Sequence, residues 1–454
     1  MKVSIIGTGY VGLASSVGLA ARGHDIIGVE KRQEVIDIIT SGRSPYYEEG
    51  LEPLLHAALK DGKFRVISSI AQAVQESEVT MICVGTPQAD DGRIDLTAIR
   101  EVSKALGDAL KAKKSYHVVV VKSTVLPGTS LNVVCKEIEA RSGKKMGHDF
   151  GIAMIPEFLR EGSAIKDFME PDRIVIGAED AKAGAILREL FGKSFDAPIV
   201  MVNTKTAEMI KYTNNSFLAM CISFSNEISQ ICEKVGNVDA HDVMEAVVKD
   251  GRITAKAPDG SKVVPSLASY LYPGPGFGGS CFPKDLSAIV QFEREQGVPA
   301  VLIHGALDIN RRQKEDVVRR VEAAMGGAKG KTVAVLGVAF KPDTDDTRES
   351  PSIDIINHLL SAGASVQAYD QRALDNARKI WGERIAYCKS WAEALKGSEM
   401  AVVVTSWDEF RKIKAEEFVQ HMKTPRVFDC RRLYDGAQFA AKKVPYYCIG
   451  YRKE

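Results

Sequence analysis

No stretch of this chain approaches the roughly 20 consecutive apolar residues that a membrane-spanning helix needs. Net charge is almost missing too. Sixty basic residues face 59 acidic ones, for a formal +1, which leaves no electrostatic footprint for nucleic acid. There is no C-x-x-C pair. The eight cysteines, at positions 83, 135, 221, 232, 281, 388, 430 and 448, are scattered, which argues against a zinc site or a disulfide framework, so no metal is expected. Charge blocks, low-complexity segments and solenoid-like repeats are lacking as well. The N-terminus has one lysine and a short apolar run broken by a glycine turn, which reads as a strand of the fold and not as a secretory leader. These absences point to a soluble enzyme of a reducing compartment, expected in the cytoplasm.

What is present begins with that N-terminal turn. Lys2–Ile6 reads as a short strand, Gly7-Thr-Gly9-Tyr-Val-Gly12 follows at once, and a helical pattern runs from Leu13 to Ala21. Gly7 permits the tight turn, Gly9 lets backbone approach a pyrophosphate, and Gly12 lets helix pack against strand. Tyr10 and Val11, inside this turn, are expected cofactor contacts, and the helix that follows offers free N–H groups that attract phosphate. A second strand, Asp25–Val29, ends in Glu30. An acid there binds the two ribose hydroxyls and repels a 2′-phosphate, so NAD is expected over NADP, although Lys31 and Arg32 stand beside it.

At 454 residues the chain exceeds one ordinary core and should divide into two or three domains. The first part alternates strands with helices, as a parallel sheet requires. Its strands run into Gly85-Thr86-Pro87, Lys122-Ser-Thr124 and Pro156-Glu157. Carboxyl ends of such strands are where ligands bind. From about Thr204 to Val235 the apolar spacing predicts one long helix, of a length that spans domains or forms a subunit interface. A Gly- and Pro-rich loop covers roughly 251 to 283. After Gly326-Gly327 a second α/β unit begins, with Thr332–Leu336 as its first strand. The turn that follows, Gly337-Val-Ala-Phe-Lys341, lacks the second and third glycines, so a second dinucleotide is not expected there. The fold class expected is thus two Rossmann-like doubly wound domains joined by a long central helix and a helical dimerisation region. The divisions fall at 1–203, 204–325 and 326–454.

Within the loop, Phe277-Gly278-Gly279-Ser280-Cys281-Phe282-Pro283-Lys284-Asp285 places a thiol between small residues, with an ammonium and a carboxylate just after it. Small neighbours leave the sulfur open to approach, and a nearby cation favours thiolate. A buried structural cysteine after a Gly-rich turn accounts for the same residues equally well.

With these pieces in view the chain resembles the UDP-glucose/GDP-mannose dehydrogenase family over essentially its whole length. The resemblance rests on motifs in family order: Gly7–Gly12, Val84-Gly-Thr-Pro87, Lys122-Ser-Thr124, Pro156-Glu-Phe-Leu-Arg-Glu-Gly162, Asn215-Ser-Phe-Leu-Ala219, Phe277–Asp285, and Lys341 through Thr347-Arg-Glu-Ser350. It implies oxidation of a nucleotide sugar at C6 from alcohol to carboxylate with two NAD in succession. UDP-glucose is the expected substrate. GDP-mannose or a UDP-N-acetylhexosamine is the alternative, and so is a single-step hydroxyacid-type dehydrogenase, which would need neither the thiol nor the second α/β unit. The resemblance also implies an NAD domain, a helical dimerisation region and a domain for the substrate's nucleotide, in a homodimer or higher homo-oligomer.

Roles carry over by position. Cys281 matches the nucleophile. Lys211 and Asn215, on one helix face, match sugar-facing residues; a solvent-facing Glu208–Lys211 pair is the plainer reading. Asp285 and Thr124 match the group that handles the alcohol proton, and Glu157 matches the carboxylate of thioester hydrolysis. Thr86, Glu161, Lys284 and Arg348 match positions near the cofactor. Phe158, Leu159, Arg252, Phe277, Gly278, Lys341 and Arg431 match substrate contacts, with Arg432 competing with Arg431. Three features depart from the family pattern: Ile155 stands where Asn is common, Cys430 where Gly is usual, and the segment from Arg252 to Cys281 is long.

Overall fold

The computed structural model describes residues 1–89 and 91–452, so the last two residues of the 326–454 region lie outside the described residues. The chain divides into two compact units, Met1–Asn214 and Asn215–Glu454. The division falls inside one helix, Thr204–Val235, which begins and ends where its apolar spacing predicts.

In the first unit, eight strands form a single sheet. They are β1 (Lys2–Ile6), β2 (Asp25–Val29), β3 (Phe64–Ile67), β4 (Val79–Ile82), β5 (His117–Val121), β6 (Phe150–Met154), β7 (Ile174–Ala178) and β8 (Ile199–Val202). Their order is β3-β2-β1-β4-β5-β6-β7-β8. Every pairing is parallel except β6 with β7. Strands β4 (Val-Thr-Met-Ile) and β5 (His followed by four Val) are buried along their whole length, so neither shows a buried–exposed alternation. One apolar layer gathers Val3, Ile5, Leu13 and Val17, and the other Ile6, Ile82, Val119 and Val121, in keeping with side chains that alternate across the sheet. The switch in strand order lies between β1 and β4, beside the Gly7 turn, which is where open α/β sheets bind ligands.

The second unit opens with helices: the Asn215–Val235 part of the long helix, then Ala240–Val248, Phe282–Gln296 and Val301–Met325. The Gly- and Pro-rich loop contains an exposed two-residue hairpin, β9 (Ala255–Lys256) and β10 (Lys262–Val263), and a 3-10 turn over Ser266–Leu271. A six-stranded parallel sheet follows: β11 (Thr332–Leu336), β12 (Ser365–Tyr369), β13 (Ala386–Tyr387), β14 (Met400–Val403), β15 (Val427–Asp429) and β16 (Tyr446–Cys448). Its order is β13-β12-β11-β14-β15-β16. Val317, Val321 and Met325 carry the Val301–Met325 helix into the core of this sheet. Two Rossmann-like sheets linked by long helices are therefore present. Among the described residues no helix is long and apolar enough to cross a membrane.

Candidate active site

The first glycine turn is shaped by contacts that only glycine tolerates. Gly7 has φ +91°, and a Cβ on Gly12 would lie 1.8 Å from the Gly7 carbonyl oxygen. A Cβ on Gly9 would meet nothing within 4 Å, so that side of the turn is open. The helix Tyr10–Ala21 starts with no side-chain cap and no acid in its first turn, leaving its N-terminal N–H groups for an anion. Glu30 is buried at the end of β2, where its carboxylate accepts from Thr8 Oγ1 at 2.9 Å and Arg32 Nε at 3.1 Å. Burial opposes its charge, but the Arg32 guanidinium, the Arg32 N–H and Thr8 outweigh it and hold the pKa below the usual carboxylate range. Arg32 is thus engaged with the acid it adjoins. These residues fit a dinucleotide: a cradle that a Cβ would fill, free N–H groups, and one ionised acid at the ribose end.

Around the neighbouring strand ends, Thr86 Oγ1 donates to the Thr124 carbonyl at 2.9 Å, tying the loop after β4 to the loop after β5. Beyond β6, Glu157 pairs with Lys211 at 2.8 Å; both side chains are buried, at 8 % and 4 % exposure. The solvent-facing Glu208–Lys211 pair is therefore overturned. Glu208 is itself fully buried and accepts from the N–H groups of Gly128 (2.5 Å) and Ser130 (2.7 Å), which fixes the loop after Thr124 to the long helix. Burial raises the Glu157 pKa, but the Lys211 ammonium, the Leu159 N–H and the Lys122 charge together hold it below the usual value. A carboxylate so placed stays ionised at neutral pH and is able to accept a proton. Phe158 lies under two cations, with Arg173 at 4.1 Å and Lys211 at 5.7 Å from its ring centre. Glu161 falls in the turn before the helix Ala164–Met169 and not in the helix itself. Ile155 is buried in the core, so an amide role at that position is lost.

Two further residues of this unit stand out: Lys122 belongs to a motif read in the sequence but was given no role there, and Glu48 belongs to none. Lys122 is buried at 5 % exposure at the end of β5, and burial pushes its pKa down, with the Glu157 and Lys211 charges acting on it. Glu48, in the loop between two helices, accepts hydrogen bonds from distant segments. A buried lysine or glutamate leaves no periodic signal, and only partners distant in sequence reveal it.

In the second unit the thiol stands at a helix start. Cys281 is the N-cap of Phe282–Gln296, with Pro283 in the first turn, where helix geometry tolerates a missing N–H. The helix N-terminus favours negative charge developing on sulfur. Asp285, one turn on and 1 % exposed, accepts from Lys284 Nζ at 2.5 Å and Asn215 Nδ2 at 2.7 Å. Lys284 therefore serves Asp285 directly. The glycines before Cys281 allow close docking within the unit. A Cβ on Gly278 would lie 2.2 Å from the Glu349 carbonyl oxygen, and Gly279 N–H donates to the Arg348 carbonyl at 2.8 Å. Asn310 clamps Phe277 at both its N–H (2.7 Å) and its carbonyl (3.1 Å), while the Phe277 ring packs among Ala219, Leu286 and Ala306. The ring of Phe277 is thus part of a small apolar core.

Lys341 lies over the Phe340 ring, 5.8 Å from its centre. Arg431 is held by the Val404 carbonyl at 2.7 Å and forms no ion pair among the described residues, whereas Arg432 is tied to Asp239 at 2.7 Å. Of the two, Arg432 is the one with a carboxylate ion-pair partner among the described residues. The Arg348 side chain is exposed and chelates Asp346. Arg252 is 90 % exposed and folds back on Asp250, so the structure brings it to none of the other expected site residues within this unit. Cys430 is fully buried, and burial pushes its thiol well up, so it is inert packing.

Comparison with known proteins agrees along the whole chain. Residues 1–195 match the NAD binding domain of the UDP-glucose/GDP-mannose dehydrogenase family, 205–312 its central domain, and 334–436 its UDP binding domain. A UDP-glucose 6-dehydrogenase of Haloferax volcanii is 40% identical over 95% of this chain and 97% of its own. A GDP-mannose 6-dehydrogenase of Pseudomonas putida is 41% identical over 82% of this chain and 81% of its own. The solved UDP-glucose dehydrogenase of the hyperthermophilic archaeon Pyrobaculum islandicum superposes with a TM-score of 0.89 at 36% identity, covering 99% of this chain and 98% of that one. The chain belongs to the UDP-glucose/GDP-mannose dehydrogenase family and is an NAD-dependent oxidoreductase.

Proposed function

We propose that the protein oxidises UDP-glucose to UDP-glucuronate in two successive hydride removals, with Cys281 holding the carbon between them. The observation that carries this reading is the thiol at the start of Phe282–Gln296, one turn before a buried aspartate held by Lys284 and Asn215. UDP-glucose is favoured over GDP-mannose because the solved UDP-glucose dehydrogenase superposes with a TM-score of 0.89, against 0.55 for a solved GDP-mannose dehydrogenase. Bound NAD supplies the hydride acceptor, and two are needed per sugar. Asp285 and Thr124, through a water, take the proton of the C6 hydroxyl. Cys281 sulfur then bonds to the aldehyde carbon, giving a thiohemiacetal whose oxyanion Lys211 and Asn215 stabilise. Loss of the second hydride leaves a thioester. Glu157, ionised beside Lys211, draws a proton from water as it attacks, and the sulfur leaves as thiolate. Lys341 and Arg431 hold the nucleotide's charge, and Gly7–Gly12, Glu30, Thr86, Glu161, Lys284 and Arg348 serve the cofactor. The regions 1–203, 204–325 and 326–454 correspond to cofactor, dimerisation and nucleotide parts.

The second-unit part of the long helix supports a homodimer. Phe217, Phe224 and Ile231 recur at heptad spacing and are 51%, 50% and 55% exposed, an apolar stripe of the kind that marks association. Arg252 is then read as a contact across the subunit interface. All eight cysteines are unpaired, which suits a reducing cytoplasm. Assay of a nucleotide-sugar panel with NAD tests the substrate. UDP-glucose should give the highest kcat/KM, with two NADH per sugar, whereas a higher value for GDP-mannose or an N-acetylated sugar overturns the assignment.

A further inference from the structure

The loop Ser41–Gly50 joins two helices, Gln33–Thr40 and Leu51–Lys60, and contributes nothing to the expected site. Yet Glu48 within it is buried at 5 % exposure, and both its oxygens are in use. Oε2 accepts from the Tyr10 hydroxyl and from Gly162 N–H at 2.8 Å, and Oε1 accepts from Ala164 N–H at 2.7 Å. Tyr10 opens the helix of the dinucleotide turn. Gly162 lies near the end of the loop that begins at Pro156-Glu157, and Ala164 opens the helix Ala164–Met169 that follows it. A neighbouring stitch runs the same way: Tyr46 hydroxyl donates to the carbonyls of Gly9 and Tyr10, each at 3.2 Å, and its ring lies 5.2 Å from that of Tyr10. Tyr10 hydroxyl also reaches the Arg160 carbonyl at 3.2 Å. One buried carboxylate therefore joins the turn that meets the cofactor to the loop that carries Glu157.

We propose that Glu48 is a positioning residue that registers the Glu157 loop against the cofactor turn. A carboxylate that accepts three donors from two segments far apart in sequence fixes their separation more tightly than apolar packing does, because each lost bond leaves a buried donor unsatisfied. Glu157 itself is held by Leu159 N–H and Lys211, so its placement follows from where the loop is pinned. The proposal rests on the hydrolytic role of Glu157 given above. Glu48 touches no reacting atom in that scheme and acts through the loop.

The test compares Glu48→Gln, Glu48→Ala and Tyr10→Phe with Glu157→Gln, in the full-length enzyme with UDP-glucose and NAD. Tyr10→Phe removes one hydroxyl and gives an independent variant should Glu48 replacements fold poorly. Each of the three should lower kcat about tenfold or more with a smaller change in the KM for UDP-glucose, and Gln should recover part of what Ala loses. Glu48→Gln and Tyr10→Phe combined should be no slower than the worse single variant, since both cut one linkage. Intact-mass measurement should show a thioester-linked adduct accumulating on Cys281, as in Glu157→Gln. A folded Glu48→Gln enzyme within twofold of wild-type kcat overturns the proposal. Strictly additive effects of Glu48→Gln and Tyr10→Phe on kcat also overturn it. If Glu157→Gln accumulates adduct while Glu48→Gln turns over normally, the clasp fails and the role of Glu157 stands. If Glu157→Gln forms no adduct but the Glu48 and Tyr10 effects are large and non-additive, the hydrolytic role fails and the clasp stands as a linkage between turn and loop.

Discussion

The two α/β units share a strand order about their first strand, yet their first turns are built to opposite ends. After β1 the turn is Gly-Thr-Gly-Tyr-Val-Gly, with open space at Gly9 and no side chain capping the helix that follows. After β11 the turn is Gly337-Val-Ala-Phe, and its N–H groups are already taken. Asp370, at the end of β12, accepts from Val338 N–H at 2.7 Å and Ala339 N–H at 3.0 Å, and also from Trp407 Nε1. Glu30 occupies the matching place after β2, but it bonds the Thr8 hydroxyl, Arg32 and the N–H groups of Lys31 and Arg32, and among the described residues it accepts from no backbone N–H of the glycine turn. The strand order alone thus does not make a dinucleotide site. The two turns differ in whether the acid after the second strand takes the turn's N–H groups, as Asp370 does, or leaves them, as Glu30 does.

The sharpest way to break this comparison is to spoil each turn in kind. Gly12→Ala forces a Cβ onto the Gly7 carbonyl, so NAD affinity measured by calorimetry should fall about 100-fold or more. Gly337→Ala, with φ +95° and Thr405 Cβ 2.4 Å from the added carbon, should lower Tm while leaving the NAD Kd of the folded enzyme unchanged. Next in size, Asp370→Ala strands several buried N–H donors and should cost about 2–4 kcal/mol in denaturant unfolding, again without altering the NAD Kd. Glu30→Gln should do the reverse, weakening NAD about tenfold by kcat/KM and narrowing its preference over NADP.

A smaller effect separates the units by pH. Only the first sheet buries a histidine within a strand: His117 Nε2 meets Thr80 Oγ1 at 2.8 Å, and burial with the nearby Lys113 charge pushes its pKa down to about 3. The folded state then binds fewer protons than the unfolded one between that value and about 6.5. Stability is complete above pH 6.5 and declines below it by up to about 1.4 kcal/mol per pH unit, levelling off once His117 is protonated in the folded state as well. Unfolding followed by pH should show that slope, and replacement of His117 by Gln should flatten it. Least of all, Arg32→Ala should change NAD affinity by less than about threefold, because Glu30 keeps its backbone and Thr8 donors.

Much of this was readable in the chain beforehand. The glycine turn, Glu30, the strand ends and the long helix declare themselves locally, through spacing and residue type. The blocked second turn was half legible: missing glycines predicted no dinucleotide, but Asp370 as the occupant needed the fold. Glu208 misled because a helix-spaced Glu and Lys suggest a surface pair, whereas burial assigned them to different partners. The packing of the Phe277 ring among Ala219, Leu286 and Ala306 likewise needed the fold. Glu48 was silent and the burial of Lys122 was hidden within its motif, since long-range hydrogen bonds and desolvation have no sequence period. The helix start at Cys281 was likewise hidden by the glycines before it, although Pro283 is a residue that favours a first turn.

Covalent oxidation at Cys281 is tested most directly by the Cys281→Ala enzyme supplied with the C6 aldehyde of UDP-glucose. Given NADH it should reduce the aldehyde to alcohol, because the cofactor turn and the proton-handling residues are intact, and given NAD it should form no acid. Acid formation from aldehyde and NAD at close to the wild-type rate would contradict the thioester route.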